Sequence, residues 1–232
     1  MIDDGSTDGT KEILQRLTAE DSRFLLTHNS LPRLVPGPYQ ARNVGLRLAR
    51  GKFVCFLDID DRWLPNKLAE QAMQIDKNPE LRLLYSSYLR SRRGKTTGKI
   101  RKTPQKNSAQ FWIHLANPVP MLTSCVKRET IDGMEFEPLH HEDYIFWHAV
   151  IRRLQPEELA VNPKPLAIYC IHTTSISSNK LQAAGWIWQC YRRLGYRRPV
   201  ATIALIARGL LQAWLIGKET TSPTVLLSAL DI

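Results

Sequence analysis

Three short acidic runs carry residue types that can do chemistry. The first is Phe56-Leu57-Asp58-Ile59-Asp60-Asp61, which closes an apolar stretch. Read as a strand end, it puts Asp58 and Asp60 on one face and turns Ile59 back to the core. Neighbouring carboxylates repel unless a cation lies between them. Oxygen ligands suit Mg2+ or Mn2+, and such an ion can bridge to a diphosphate. The same acids equally suit a turn that caps the following helix. The second run is His140-His141-Glu142-Asp143-Tyr144. It places two acids at a helix start, where one can act as general base on an alcohol. A helix cap is the plainer reading, and a metal site with the histidines is another, although the spacing is not that of structural zinc. The third run, Asp3-Asp4-Gly5-Ser6-Thr7-Asp8-Gly9-Thr10, can hydrogen-bond a base or ribose, or simply turn the chain. It has neither the Gly-Lys-Ser/Thr of a Walker loop nor Gly-x-Gly-x-x-Gly.

These runs need elements to hold them. Ile13, Leu14 and Leu17 recur at helical spacing up to residue 20, and residues 24–27 read as a short strand. Residues 29–38 form a proline-rich loop. Residues 41–49 read as a helix with Ala41, Val44 and Leu48 on one face and Gly51 as its C-cap. Residues 53–57 are apolar on both faces, which fits a buried central strand with a parallel partner. A helix over 64–75 has Pro65 in its first turn, and 81–86 is again a strand. Alternating strands and helices argue for a doubly wound α/β sheet. Further on, 121–126 and 166–171 read as strands and 144–154 as a helix. From residue 180 the chain is helical and rich in aromatics. Residues 90–106 carry eight basic side chains and no acid, as an exposed, mobile excursion would.

The 232 residues allow one sizeable α/β domain with an appendage. A net charge of +10 points to anionic partners, among them nucleotide phosphates, nucleic acid or an acidic membrane. The four cysteines form no Cys-x-x-Cys pair, so they are expected to be reduced in a cytoplasmic protein. The acidic start Met1-Ile2-Asp3-Asp4 is unlike a signal peptide. Residues 200–217 are apolar but interrupted by Arg208 and Gln212, as a packed or interfacial helix would be.

Taken in order, Ile2-Asp3-Asp4-Gly5-Ser6-Thr7-Asp8-Gly9-Thr10, Ala41-Arg42-Asn43-Val44-Gly45, Phe56-Leu57-Asp58-Ile59-Asp60-Asp61 with Trp63-Leu64-Pro65, and Glu142-Asp143 resemble the family 2 glycosyltransferases. Among members, the likeness is to bacterial enzymes of O-antigen or exopolysaccharide synthesis. The resemblance implies a GT-A fold, an α/β doubly wound mixed sheet over residues 1–179, with a helical C-terminal extension over 180–232. Family members carry an earlier strand, so it also implies a sheet whose first strand is missing. It implies an inverting transfer from a nucleotide-sugar donor, usually a UDP-sugar, to a glycan or lipid-linked acceptor, with Mn2+ or Mg2+ as cofactor. Asp4 would contact the nucleobase, Arg42 and Asn43 the nucleotide pocket, and Asp58 the ribose. Asp60 would bind the metal, with Asp61 supporting the turn. Asp143 would be the catalytic base and Glu142 the second candidate. Tyr169-Cys170-Ile171-His172 resembles a segment near the diphosphate, so His172 is a metal or phosphate contact or a structural histidine.

Two other classes suit parts of the sequence. A relative that keeps only a binding role would not bind a nucleoside diphosphate with Mn2+. A nucleic-acid-binding protein suits the charge, but no nucleic-acid motif is present and acids cluster where the pocket would be. Nucleic acid is therefore not an expected partner, whereas peripheral contact with the inner face of the membrane is.

Overall fold

The computed structural model describes residues 1–29, 34–92, 95–103, 106–171, 180–217 and 220–221. The elements begin β1 (Ile2–Asp3), α1 (Thr10–Glu20), β2 (Thr27–His28), α2 (Tyr39–Leu48), β3 (Phe53–Cys55), β4 (Arg62–Trp63), α3 (Lys67–Lys77) and β5 (Leu83–Arg92). Next come β6 (Lys95–Arg101), α4 (Lys106–Trp112), β7 (Cys125–Lys127), α5 (Glu142–Ile151) and β8 (Leu159–Ile171). The last are α6 (Lys180–Arg193), α7 (Arg198–Gly217) and β9 (Thr220–Thr221).

Among the described residues the strands make two sheets. β1 and β2 pair in parallel, with Ile2 opposite Thr27 and Asp3 opposite His28. The larger sheet runs β3-β7-β5-β6-β9, while β8 lies parallel to β5 and carries β4 antiparallel to it. β5 is its axis, with Leu83, Leu84, Tyr85 and Leu89 all buried. Its register with β8 shifts near Ser87, opposite the Pro163–Pro165 stretch, where proline cannot complete a regular ladder.

Several expectations change. The 53–57 run is only a short edge strand, paired antiparallel to β7. A run apolar at every position has no alternation to name its partner or its place. It ends because Phe56 enters an aromatic cluster, with its ring edge-on to Phe136, Phe146 and Trp147 at 5.7, 6.3 and 6.2 Å. Beyond it, the Asp61 N–H donates to the Asp58 carbonyl at 3.0 Å. Residues 58–61 are therefore a turn, strand alternation no longer applies, and Ile59 is 90% exposed instead of facing the core.

The helix expected from residue 64 starts at Lys67, with Asn66 as N-cap and Pro65 outside it. The Trp63 indole N–H donates to the Leu122 carbonyl at 2.8 Å, and the Leu64 N–H to the Leu166 carbonyl at 3.0 Å. Both bonds hold the chain extended before the helix can begin. Helix α2 ends at Leu48 with Ala49 as C-cap, so Gly51 is not the cap. Its buried face is Tyr39 and Asn43, not Ala41, Val44 and Leu48. A buried asparagine is invisible to a search for apolar periodicity. The 24–27 strand shrinks to Thr27–His28. Residues 121–123 form a 3-10 turn before β7. The described part of the basic 90–106 segment includes a hairpin of β5 and β6, with Leu89 facing Ile100.

Helix α5 is the centre of the molecule. Tyr144, Ile145, Phe146, Trp147, Val150 and Ile151 are all buried, so it is apolar all round, as an enclosed helix must be. α6 and α7 join the same core through Ile187, Cys190, Tyr191, Ala201 and Ala204. The Tyr191 ring meets Tyr144 edge-on at 6.0 Å, and its hydroxyl donates to the Leu115 carbonyl at 2.6 Å. The first turn of α5 is thus held by packing on both sides.

Candidate functional site

Two of the three acidic runs meet in space, and Arg42 joins them. From the middle of α2 its guanidinium donates from Nη2 to both Asp58 oxygens, at 3.0 and 2.9 Å, and from Nη1 to Glu142 Oε1 at 2.7 Å. It lies over the Phe136 ring, 5.6 Å from the centroid. Its side chain is 11% exposed, whereas that of Asp58 is 42% exposed. The turn end and the α5 start are therefore fixed to one buried cation.

The other turn acids have separate positions. Asp61 is buried and accepts the Cys170 N–H at 3.0 Å, which ties the turn to the end of β8. Asp60 is exposed at the tip. Because α3 starts at Asn66 and Lys67, Asp60 and Asp61 do not cap it, and that plainer reading falls away. His172 lies outside the described residues.

At the start of α5, Glu142 is buried and Asp143 is half-buried. Acids suit a helix N-terminus. The N-cap, His141, has left-handed backbone (φ 58°) and makes no side-chain cap bond. A non-glycine residue in that region marks a local backbone cost, of a kind concentrated at functional sites. Asp143 Oδ2 accepts from Asn117 Nδ2 at 2.9 Å. The Asn117 amide is itself oriented, since its Oδ1 accepts the Val119 N–H at 3.0 Å. Asn117 was not among the sequence candidates. Its only signal there was a lone asparagine before Pro118-Val119-Pro120.

The electrostatics follow from this packing. Burial pushes the Glu142 carboxyl up to about 7, with Arg42 pulling it down and Asp143 and Asp58 pushing it further up. Burial also opposes the Arg42 charge, but Asp58, Glu142 and Asp143 outweigh it and raise its pKa. Burial lowers the pKa of His141 against the pull of Asp143.

The third acidic run begins on the small sheet, at Asp3. Asp4 Oδ1 accepts from Asn29 Nδ2 at 2.7 Å, and the same Nδ2 reaches Gln40 Oε1 on α2 at 3.2 Å. Asp3 is the more buried of the pair, accepting the Ser6 N–H at 3.1 Å and facing His28 Nδ1 at 3.1 Å. The Ser6 hydrogen bonds, followed by His28, hold its pKa below the usual carboxylate value. Asn43 is used differently from Arg42 beside it. Its Nδ2 donates to the Phe136 carbonyl at 2.9 Å and its Oδ1 accepts the Phe136 N–H at 2.7 Å. Both ends of the amide therefore clamp backbone.

The donor set bears on a metal. Among the described residues, no three His, Cys, Asp or Glu side chains meet as a metal cage. Asp58 is engaged by Arg42 and Asp61 by the Cys170 amide. Asp60 lies exposed at the tip of the turn, a position that suits a hard cation of the kind held by one or two carboxylates plus substrate phosphates.

The chain matches the model of Glycosyl transferase family 2 over residues 1–153. It is 29% identical over 210 residues to an uncharacterized glycosyltransferase of Haemophilus influenzae, covering 89% of this chain and 82% of that one. It is 30% identical over 189 residues to an Escherichia coli protein, UDP-Glc:alpha-D-GlcNAc-diphosphoundecaprenol beta-1,3-glucosyltransferase WfgD, covering 81% and 71%. Among solved structures it resembles S. aureus TarS in complex with UDP-GlcNAc, with TM-score 0.61 and 18% identity over 88% of this chain and 60% of that one. It also resembles the Pyrobaculum calidifontis mannosyltransferase PcManGT in complex with GDP-Man and Mn2+, with TM-score 0.57 and 16% identity over 98% and 68%. The chain thus spans 60% of the TarS chain's length. These likenesses show the fold, which is GT-A.

Proposed function

Since the chain belongs to glycosyl transferase family 2, we propose that it moves a sugar from a UDP-sugar to a hydroxyl of a glycan or lipid-linked acceptor. The product would serve cell-surface polysaccharide synthesis, with the reaction on the cytoplasmic side. The supporting observation is the Arg42 bridge, which brings the 58–61 turn to the Glu142–Asp143 helix start. A donor-binding turn and a general base would need that proximity.

In this reading Asp143 accepts the acceptor hydroxyl proton while the Asn117 amide holds its carboxylate in place. The acceptor oxygen bonds to the anomeric carbon on the face opposite the diphosphate. The bond from that carbon to the diphosphate oxygen breaks, so a single displacement inverts the configuration. Asp58 faces the ribose, held by Arg42, and Asp4 takes the base. Asp60 would hold Mn2+ or Mg2+ together with the diphosphate oxygens, and the cation would neutralise charge on the departing group. Glu142 keeps Arg42 in place.

The test is a thermal-shift and turnover screen of this chain with UDP-glucose, UDP-N-acetylglucosamine and GDP-mannose in the presence of Mn2+. A UDP-sugar is expected to raise the melting temperature, and Asp58→Ala to remove the rise. No response to any nucleotide sugar, with salt-sensitive binding to random oligonucleotides, would overturn the reading.

A further inference from the structure

Helix α7 is apolar on two opposite sides. Ala201 and Ala204 are buried in the core, and Leu205 packs against it. With 3.6 residues per turn, Ile203, Ile206 and Leu210 fall on the far side. They are 65%, 60% and 70% exposed. An all-round apolar helix needs cover on every side, and the core supplies one.

The charges indicate the cover. Residues 180–217 contain Lys180, Arg192, Arg193, Arg197, Arg198 and Arg208, and no Asp or Glu. Arg193 pairs with Glu137, and Arg208 reaches the Leu115 carbonyl. Arg197 and Arg198 are exposed at the start of α7. The helix dipole disfavours cations there, and no acid stands in that first turn. A second copy of this face would bring the arginines no acid to meet. An anionic bilayer offers both an apolar layer and a phosphate layer. Among the described residues no helix is long and apolar enough to cross a membrane, so α7 would lie along the surface.

We propose that the outer face of α7 docks on an anionic lipid bilayer. Ile203, Ile206 and Leu210 enter the acyl boundary, and Arg197 and Arg198 sit at the phosphates. Lipid docking needs no turnover, so vesicle binding and sugar transfer can fail independently.

Vesicle flotation of the full chain tests this, with phosphatidylcholine alone and with added phosphatidylglycerol. The protein is expected to float with the anionic vesicles and to be released by salt. Ile203→Glu with Ile206→Glu is expected to abolish flotation. Arg197→Glu with Arg198→Glu is expected to lower the partition coefficient at least about fivefold per arginine. All four positions are exposed, and circular dichroism checks that each variant stays folded. No flotation of the unaltered protein overturns the proposal, as does flotation undiminished in the isoleucine variant. Equal binding to neutral vesicles also rejects it. A dimer in light scattering that the isoleucine variant dissociates, without vesicle binding, assigns the face to a second copy instead.

Discussion

Arg42 and Glu142 lie 100 residues apart in sequence and 2.7 Å apart in space. The same guanidinium grips Asp58 with its other amino group. One buried cation therefore sets the distance between the 58–61 turn and the helix that starts at Glu142. Arg42→Ala would leave a buried carboxylate without its partner. It is expected to destabilise the protein by about 3–5 kcal/mol, read from urea denaturation. Arg42→Lys cannot hold both acids with a planar fork, so it should restore part of the stability and little of the turnover.

Glu142 makes stability depend on pH. Its folded pKa of about 7 lies above the ordinary 4.5. Between those values the folded protein keeps a proton that the unfolded chain has released. Stability therefore falls as pH rises through that window, and below it the two states bind protons alike. Glu142→Gln removes the group that titrates. Urea midpoints measured at about pH 5 and about pH 7.5 should fall for the unaltered protein and change less for the variant. Parallel behaviour would show that another group carries the dependence.

Asp143 is assigned the base, so Asp143→Asn should lower turnover about 10²–10⁴-fold. The melting temperature of that variant should stay close to that of the unaltered protein, because the introduced amide oxygen can still accept from Asn117. Asn117→Ala should lower turnover less, because it frees the Asp143 carboxylate to rotate without removing it. Stability lost with turnover unchanged would leave Asn117 a purely structural residue.

Asp60 and Asn43 should separate cleanly. Asp60→Asn is expected to raise the Mn2+ concentration needed for half-maximal turnover with no loss of stability. Asn43→Ala removes both hydrogen bonds to the Phe136 backbone. Leaving such groups unpaired costs about 1–3 kcal/mol each. Denaturation should therefore show the loss, while KM for the sugar donor stays unchanged. A donor KM that rose with no change in stability would place Asn43 at the nucleotide after all.

The 58–61 acids and Glu142-Asp143 were legible in the sequence because residue type and order are one-dimensional. So were α1, α5 and the C-terminal helices, whose local periodicity or apolar density declares them. Tertiary structure decided the rest. It made 53–55 an edge strand, since a uniformly apolar run fits many neighbours. It delayed α3 to Lys67, since β8, far along the chain, holds Trp63 and Leu64 extended by backbone pairing. It also assigned the adjacent Arg42 and Asn43 to different tasks, one to acids and one to backbone. Their sequence neighbourhood is shared, but consecutive helix residues point about 100° apart, and only the packed molecule shows what each one meets.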